Sequence, residues 1–337
     1  MPHHKKPESE RFKGPAKWCQ YVLARAVVSL LQRLPVTFAF WLGRKIGWLG
    51  WKLMKRRRAT VRKNLEIVNK WMDAQSADGG EMMANGGESE RKNKNPHHSS
   101  AITHPSSLAL PLEAQVKEVF QRAGANLFSG FTFNRMSPEQ AVRHIEIEGI
   151  EHLKAALAEG KGAIILLAHM GPWEALAQIP ELAQREGITA PFGAMYRPLN
   201  NTYLDDWIQA QREAKQTQLF SRRDGFHKPV DFIRNGGMLG ILADQKMREG
   251  PRVDYFGQQV ASSPIPGLFH RRSGAPLFAL SVVTSAPAQW RLSLLPVPVP
   301  ESLDRSRREP LAQLCNQAIA GALAQSPLDG FWLHKRF

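Results

Sequence analysis

The sequence predicts an α/β fold, a mostly parallel central sheet with helices on both faces, preceded by helices of a different character. Three observations carry this. Uninterrupted apolar runs such as KGAIILLAH (161–169) and MLGILAD (238–244) have the length of strands buried on both faces. Segments of helical spacing separate such runs, the alternation expected of parallel strands joined by crossovers. Ahead of them all lies an apolar stretch flanked at both ends by lysine and arginine.

Residues 18–54 form that first stretch. Arg25 and Arg33 interrupt it, and both would be costly at the centre of a spanning helix. Pro35 breaks a single straight helix, so two shorter helices meeting there are expected. Basic residues on both flanks favour two amphipathic helices lying on an anionic leaflet, with Trp41, Trp48 and Trp51 near the headgroups. A buried helical hairpin is the plainer reading, and Gly43 and Gly47 suit close packing in either case. Residues 73–112 contain no aromatic side chain and are rich in Gly, Ser and Asn. Such a segment buries too little apolar area to offset its ordering entropy, so a disordered insertion is expected, with His97, His98 and His104 solvated.

From residue 115 onward the spacing predicts helices over 115–127, 138–144 and 149–159, then the strand 161–169. A helix follows, with Pro172 in its first turn and Gly187 past its end. A strand near 189–196, a helix over 201–216 and the strand 238–244 come next. PLFALSVV and QWRLSLLPV are two further strands, and a helix over 310–325 precedes DGFWLHKRF. The chain thus divides into a polar basic N-terminus (1–17), a membrane-associated helical segment (18–67), a polar insertion (68–114) and a main α/β domain (115–337).

The chain has 337 residues, 43% of them hydrophobic, enough for a large core. Forty-five basic against 30 acidic residues give a net charge of +15, which fits nucleic acid, an anionic membrane or an acidic partner. Cys19 and Cys315 are the only cysteines, so neither a disulfide framework nor a zinc site is expected. The polar first sixteen residues do not read as a cleavable signal peptide.

The chemical signal is His169-Met-Gly-Pro-Trp-Glu174 at a strand-to-helix junction. Strand C-termini are where open α/β sheets bind ligands. A carboxylate five residues on, in the first turn of the next helix, can return to the imidazole, fix its tautomer and make the other nitrogen a better base. No serine or cysteine adjoins His169, which favours direct attack by a substrate hydroxyl on an activated carbonyl over an acyl-enzyme. Alone, such spacing also arises by chance, and a histidine at a strand end is often structural.

Several blocks together are more specific. EGIEHLKAALAEGKGAIILLAHMGPWEALA, MYRPLNNTYLDDWI, GGMLGILADQ and FGQQVASSPIPGLFHRRSGAPLF resemble the late acyltransferases of lipid A biosynthesis, the lauroyl/myristoyl transferase family. LGRKIGWLGWKLMKRRRATVRKNLEI and the closing WLHKRF are similar to the same family. The likeness covers 34–67 and 116–337. It implies a glycerolipid-acyltransferase-like fold, a place on the cytoplasmic face of the inner membrane, and no cofactor or metal. It implies acyl carrier protein as acyl donor and a phosphorylated glycolipid, a lipid A precursor, as acceptor, with no nucleic acid. His169 and Glu174 match the family's catalytic dyad, while Arg197, Asp244 and Gln245 occupy its other polar blocks. Asp244 and Gln245 are expected to position the acceptor.

The residues add to this reading. Arg197, Arg222 and Arg223 suit paired hydrogen bonds to phosphate, although a solvated basic loop explains the last two equally well. His270 and His334 are expected to be structural or solvated, and Trp332 and Phe337 to pack the closing segment onto the domain. Pro172 departs from the family's asparagine and has no N–H for an oxyanion, which directs attention to the N–H of Gly171 or to Arg197. The alternatives are an acyltransferase for a simpler glycerolipid or glycolipid, and a non-catalytic membrane or nucleic-acid binder.

Overall fold

The computed structural model describes residues 13–84, 109–221 and 225–337. Nine short apolar or alternating segments form its strands: β1 (Ile145–Glu148), β2 (Ala163–Leu167), β3 (Phe192–Tyr196), β4 (Thr217–Ser221), β5 (Met238–Leu242), β6 (Arg252–Tyr255), β7 (Gln258–Ala261), β8 (Leu277–Ala286) and β9 (Gln289–Val297). Seven build one sheet in the order β1-β9-β8-β2-β5-β3-β4, and β6 and β7 form a separate hairpin. All pairings in the large sheet are parallel except β8 with β9, which two residues join. So short a connection permits only an antiparallel return. The expected mostly parallel sheet is present.

β2 lies between β8 and β5, and all five of its residues are buried. Its unbroken AIILL sequence suits a strand with both faces covered. β1, β4 and the β6–β7 hairpin were not legible in advance. β1 is four residues of IEIE at the sheet edge, too short for a secure period, and Arg291 of β9 pairs with its Glu146 and Glu148.

Before the sheet come α1 (Pro15–Leu31), α2 (Val36–Leu53), α3 (Lys55–Ala84) and α4 (Leu112–Phe133). α1 and α2 break at Pro35, as a residue without an N–H requires. α2 lies against α4 at backbone distance. A Cβ at Gly43 would stand 2.3 Å from the Gly124 carbonyl, and one at Gly47 would stand 2.1 Å from that of Phe120. Val36, Phe40, Val61 and Leu65 join the same buried cluster as the sheet, so these helices share its core. α3 runs to Ala84, so residues 73–84 are helical rather than irregular; His97, His98 and His104 lie outside the described residues. No helix of the described residues is long and apolar enough to cross a membrane.

The remaining helices are α5 (Pro138–Ala141), α6 (Ile150–Ala158), α7 (Ile179–Arg185), α8 (Thr202–Glu213), α9 (His227–Arg234), α10 (Ile265–Ser273) and α11 (Arg308–Ala324). The single helix expected after β2 is instead a 3-10 turn over Trp173–Gln178 followed by α7. Pro180 supplies the reason. Inside one continuous α-helix it could not donate to residue 176 and its ring would strike that carbonyl; at the start of α7 it costs nothing.

Candidate active site

His169 stands two residues beyond the end of β2, and Asp244 two residues beyond the end of β5. The strands are parallel neighbours in register, Leu167 opposite Leu242, so the two side chains emerge side by side. Nδ1 of His169 lies 2.7 Å from Oδ1 of Asp244, and the His169 backbone N–H donates to Oδ2 at 3.1 Å. One carboxylate therefore fixes both the ring and the backbone that carries it. Nδ1 bears the proton in that pairing, and Nε2 is left as the basic nitrogen. The amide of Gln245 donates toward Nε2 over 3.3 Å.

Burial pushes the His169 pKa down, but the hydrogen bond and charge of Asp244, with the charge of Glu174, outweigh it and raise the imidazole above its ordinary value. Burial likewise pushes Asp244 up, and His169 overcomes that and holds the carboxyl below its usual range. The two shifts agree: each partner favours the charged form of the other.

The expectation for Glu174 needs correction on one point. Its carboxylate is not the hydrogen-bond partner of the ring; Asp244 is. Glu174 sits in the 3-10 turn, with its carboxylate 3.5 Å from Arg212 of α8, and it acts on His169 through charge. Asp244, expected to position the acceptor, is buried against the imidazole instead. Arg212 escaped notice in the sequence, where one arginine on an amphipathic helix reads as a solvated face.

Gly171 is also corrected. Its N–H donates to the carbonyl of Asp329 at 3.0 Å and so is not free for an oxyanion. Its φ is +58°, and a Cβ there would stand 2.4 Å from Cγ1 of Val282, so only glycine fits this turn. The segment that takes this bond also donates from the Phe331 N–H to the His169 carbonyl at 2.7 Å, and Met170 pairs with Gly330. Asp329 is itself fixed below the surface by Arg122, Asn126, Thr284 and Ser326. The reactive turn is thus held from behind by a buried polar network.

In front of His169 lies a cleft open to solvent. Its lining combines apolar Met195, Ile241 and Leu242 with Arg197, Arg212 and Lys246. Arg197, one residue past β3, is exposed there, as expected of a residue at the same sheet edge. Arg222 and Arg223 lie outside the described residues. A second, mostly apolar hollow is lined by Leu167, Trp173, Leu176 and Phe192 and shares Glu174, Met195, Arg212 and Leu242 with the cleft. His270 is structural, its Nδ1 2.8 Å from the Ala275 carbonyl. Trp332 is buried, and Phe337 packs against Tyr255 and Phe256. Among the described residues no cluster of three His, Cys, Asp or Glu side chains is placed to hold a metal.

The arrangement is a base with a buried orienting carboxylate, facing a cleft lined by both apolar and charged side chains. The hydrogen-bond partners of the imidazole are Asp244 and Gln245, and Ser263 is among the described residues that line the cleft. The family model described as "Bacterial lipid A biosynthesis acyltransferase" matches residues 105–337. The lipid A biosynthesis palmitoleoyltransferase of Escherichia coli is 24% identical over 335 residues, covering 98% of this chain and 94% of that protein. The lauroyltransferase of the same pathway in E. coli is 23% identical over 330 residues, covering 96% and 92%. The phosphatidylinositol mannoside acyltransferase of Mycobacterium tuberculosis is 26% identical over 180 residues, 51% of this chain and 54% of that protein.

Proposed function

The chain belongs to the bacterial lipid A biosynthesis acyltransferase family, enzymes that move acyl groups to a lipid acceptor, and from that membership we propose the following reaction. A fatty acyl group passes from an acyl carrier protein thioester to a hydroxyl of a lipid A precursor. His169 Nε2 takes the hydroxyl proton as the oxygen attacks the thioester carbonyl. The tetrahedral intermediate collapses, the carbon–sulfur bond breaks, and the imidazolium returns its proton to the departing thiolate. Asp244 orients the ring and stabilises the imidazolium, while Glu174 adds a second, more distant negative charge.

The observation that carries this reading is the 2.7 Å pairing of His169 Nδ1 with a buried carboxylate, which leaves Nε2 as the base. In the resting enzyme the Gln245 amide covers that nitrogen. The acceptor hydroxyl takes its place and keeps the amide as a donor to its own oxygen. With Gly171 engaged and Pro172 lacking an N–H, the cationic lining of Arg197, Arg212 and Lys246 supports binding of the carbonyl oxygen or the phosphates of the acceptor.

The site belongs at the cytoplasmic face of an inner membrane. Trp18, Leu23, Leu30, Phe38, Trp41 and Leu53 of α1 and α2 are exposed, Leu23 by 68% and Leu53 by 71%. Lysines lie over the rings of Trp41 and Trp48. Apolar side chains beside lysine and arginine suit an anionic leaflet. The net charge of +15 suits that leaflet, an acidic carrier protein and a phosphorylated lipid alike.

The test is transfer of labelled acyl groups from acyl carrier protein to a lipid A precursor in detergent, with His169→Ala beside the native protein. The native protein transfers, and the variant loses at least about a hundredfold, as loss of a general base requires. A variant that retains its rate overturns the role of His169. The partial match to a phosphatidylinositol mannoside acyltransferase supports a second reading, a different glycolipid acceptor. Transfer to such an acceptor alone keeps the chemistry and changes the substrate.

A further inference from the structure

The second hollow beside the cleft has a lining that the reaction above does not use. On the sheet it is lined by Leu167 of β2, Phe192 and Ala194 of β3, Thr217 of β4 and Leu242 of β5. These side chains share one face. Leu167 is in register with Leu242, Ala194 with Gly240, and Phe192 with Thr217 and Met238, and residues two apart on a strand point the same way. Leu242 and Met238 are four residues apart, so the lining runs roughly 13 Å along the strands, the span of a medium-length fatty chain. Its outer end meets the cleft through Glu174, Met195, Arg212 and Leu242. The ring of Trp173, which lines it, lies 5.8 Å from that of His169. At its inner end Phe192 and Thr217 are each 3% exposed.

Midway along it the floor is made of the smallest residues. Ala194 lines it, and a Cβ at Gly240 would stand 3.1 Å from Cδ1 of Leu167 and 3.1 Å from Cζ of Phe192, so a carbon added there takes space between those two. Apart from Glu174 and Arg212 at the mouth and Thr217 at the inner end, the lining is apolar. Such a space favours methylenes over water. The two substrates differ in what they bring to it. The acceptor carries phosphates, which suit Arg197, Arg212 and Lys246 of the cleft. The donor's acyl group carries nothing polar beyond the carbonyl that must stand opposite Nε2, and its methyl end is free. A third hollow, lined by Ile165, Leu182, Ala183 and Met238 among others, is wholly apolar but shares no lining residue with the cleft.

We propose that the second hollow takes the acyl chain of the donor, and that Ala194, Gly240 and Phe192 set the length it accepts. This deepens the reading of His169 as the base of acyl transfer and rests on it. The carbonyl stands at the mouth beside His169 and Trp173. The chain runs over Gly240 and Ala194, and its methyl end meets Phe192 and Thr217. Small residues in the middle leave room for methylenes, and a large one at the end stops them. Protein interiors pack densely, so one methylene too many at a closed end forces side chains out of place.

The test uses the full-length protein in detergent, and its first readout needs no turnover. A pantetheine amide of a fatty acid with a diazirine at its methyl end is photolysed with the protein, and labelled peptides are mapped by mass spectrometry. The label falls on β3 or β4, at residues 192–194 or 217, and the unlabelled amide competes it away. Label on α6 or α7 overturns the proposal. Competition by the lipid A precursor and not by the amide assigns the hollow to the acceptor and overturns it too. The second readout is kcat/KM across acyl carrier proteins bearing chains from decanoyl to palmitoyl. Ala194→Leu and Gly240→Ala each lower the value for the natively preferred chain by at least about tenfold relative to shorter ones. Ala183→Leu, in the third hollow, leaves the preference unchanged. An unchanged preference in folded Ala194→Leu, or a shift in Ala183→Leu alone, overturns the proposal. Labelling as stated with no acyl transfer by the native protein keeps the chain site and sinks the functional reading; transfer with the label elsewhere does the reverse. If the variants do not fold, the label on the native protein decides.

Discussion

Replacing Asp244 by asparagine keeps the shape of the side chain and removes one acceptor. Two donors converge on the native carboxylate: the His169 backbone N–H on Oδ2 at 3.1 Å, and the ring Nδ1 on Oδ1 at 2.7 Å. An amide has a single oxygen. If that oxygen keeps the backbone N–H, the NH₂ group faces Nδ1 and selects the tautomer with its proton on Nε2, which cannot accept one from a hydroxyl. If it keeps the ring instead, the NH₂ group opposes a backbone N–H in a buried position. Either way the imidazolium formed during transfer loses the anion beside it. A wrong tautomer in a histidine–carboxylate pair costs roughly 10³–10⁴-fold in kcat, on the order of 4–5 kcal/mol of transition-state stabilisation. KM changes far less, because Asp244 is buried behind the imidazole, away from the acceptor. The assay is kcat and KM for acyl transfer at several pH values. Stability follows the same pair. His169, raised above its unfolded value, contributes stability present below that value and lost as pH rises through the folded pKa. Asp244, depressed, contributes stability present above its unfolded value and lost as pH falls through the folded one. The variant therefore loses most stability between those limits. A kcat within about tenfold of native at the optimum would refute the assignment of Asp244 as orienter.

Glu174→Gln removes a charge that raises the His169 pKa, so the acid limb of kcat/KM moves to lower pH and kcat falls by at least about tenfold; a limb that moves upward contradicts the electrostatic role. Gly171→Ala places a Cβ 2.4 Å from Cγ1 of Val282 at a φ of +58°, so chemical denaturation should show a loss of roughly 2–4 kcal/mol, and a neutral result would mean that the turn is free to shift. Leu23→Glu with Trp41→Glu, at residues 68% and 53% exposed, lowers binding to vesicles containing anionic lipid by at least about tenfold. The same pair leaves the melting temperature nearly unchanged, and undiminished sedimentation with such vesicles would exclude these helices as the membrane face.

The parts of this protein legible in its sequence are those that local chemistry decides. AIILL is a strand buried on both faces because no residue in it tolerates water, and the glycine before it and the polar turn after it set its ends. Pro35 separates two helices because it has no N–H to give. His169 falls at the mouth of a cleft because it directly follows such a strand. Pro180 is equally local, since it rules out one continuous α-helix from residue 172. The sequence is silent where a residue's neighbours in space decide. Glu174 is near His169 along the chain, and that proximity suggested the pair. Asp244 is 75 residues away, and nothing local marks β2 and β5 as neighbours in register. Strand order comes from how crossover helices cover both faces of a sheet, a sum over the whole core that no window of sequence contains. The same holds for Arg336, whose context HKRF reads as a solvated basic tail and which the structure buries over the ring of Tyr255.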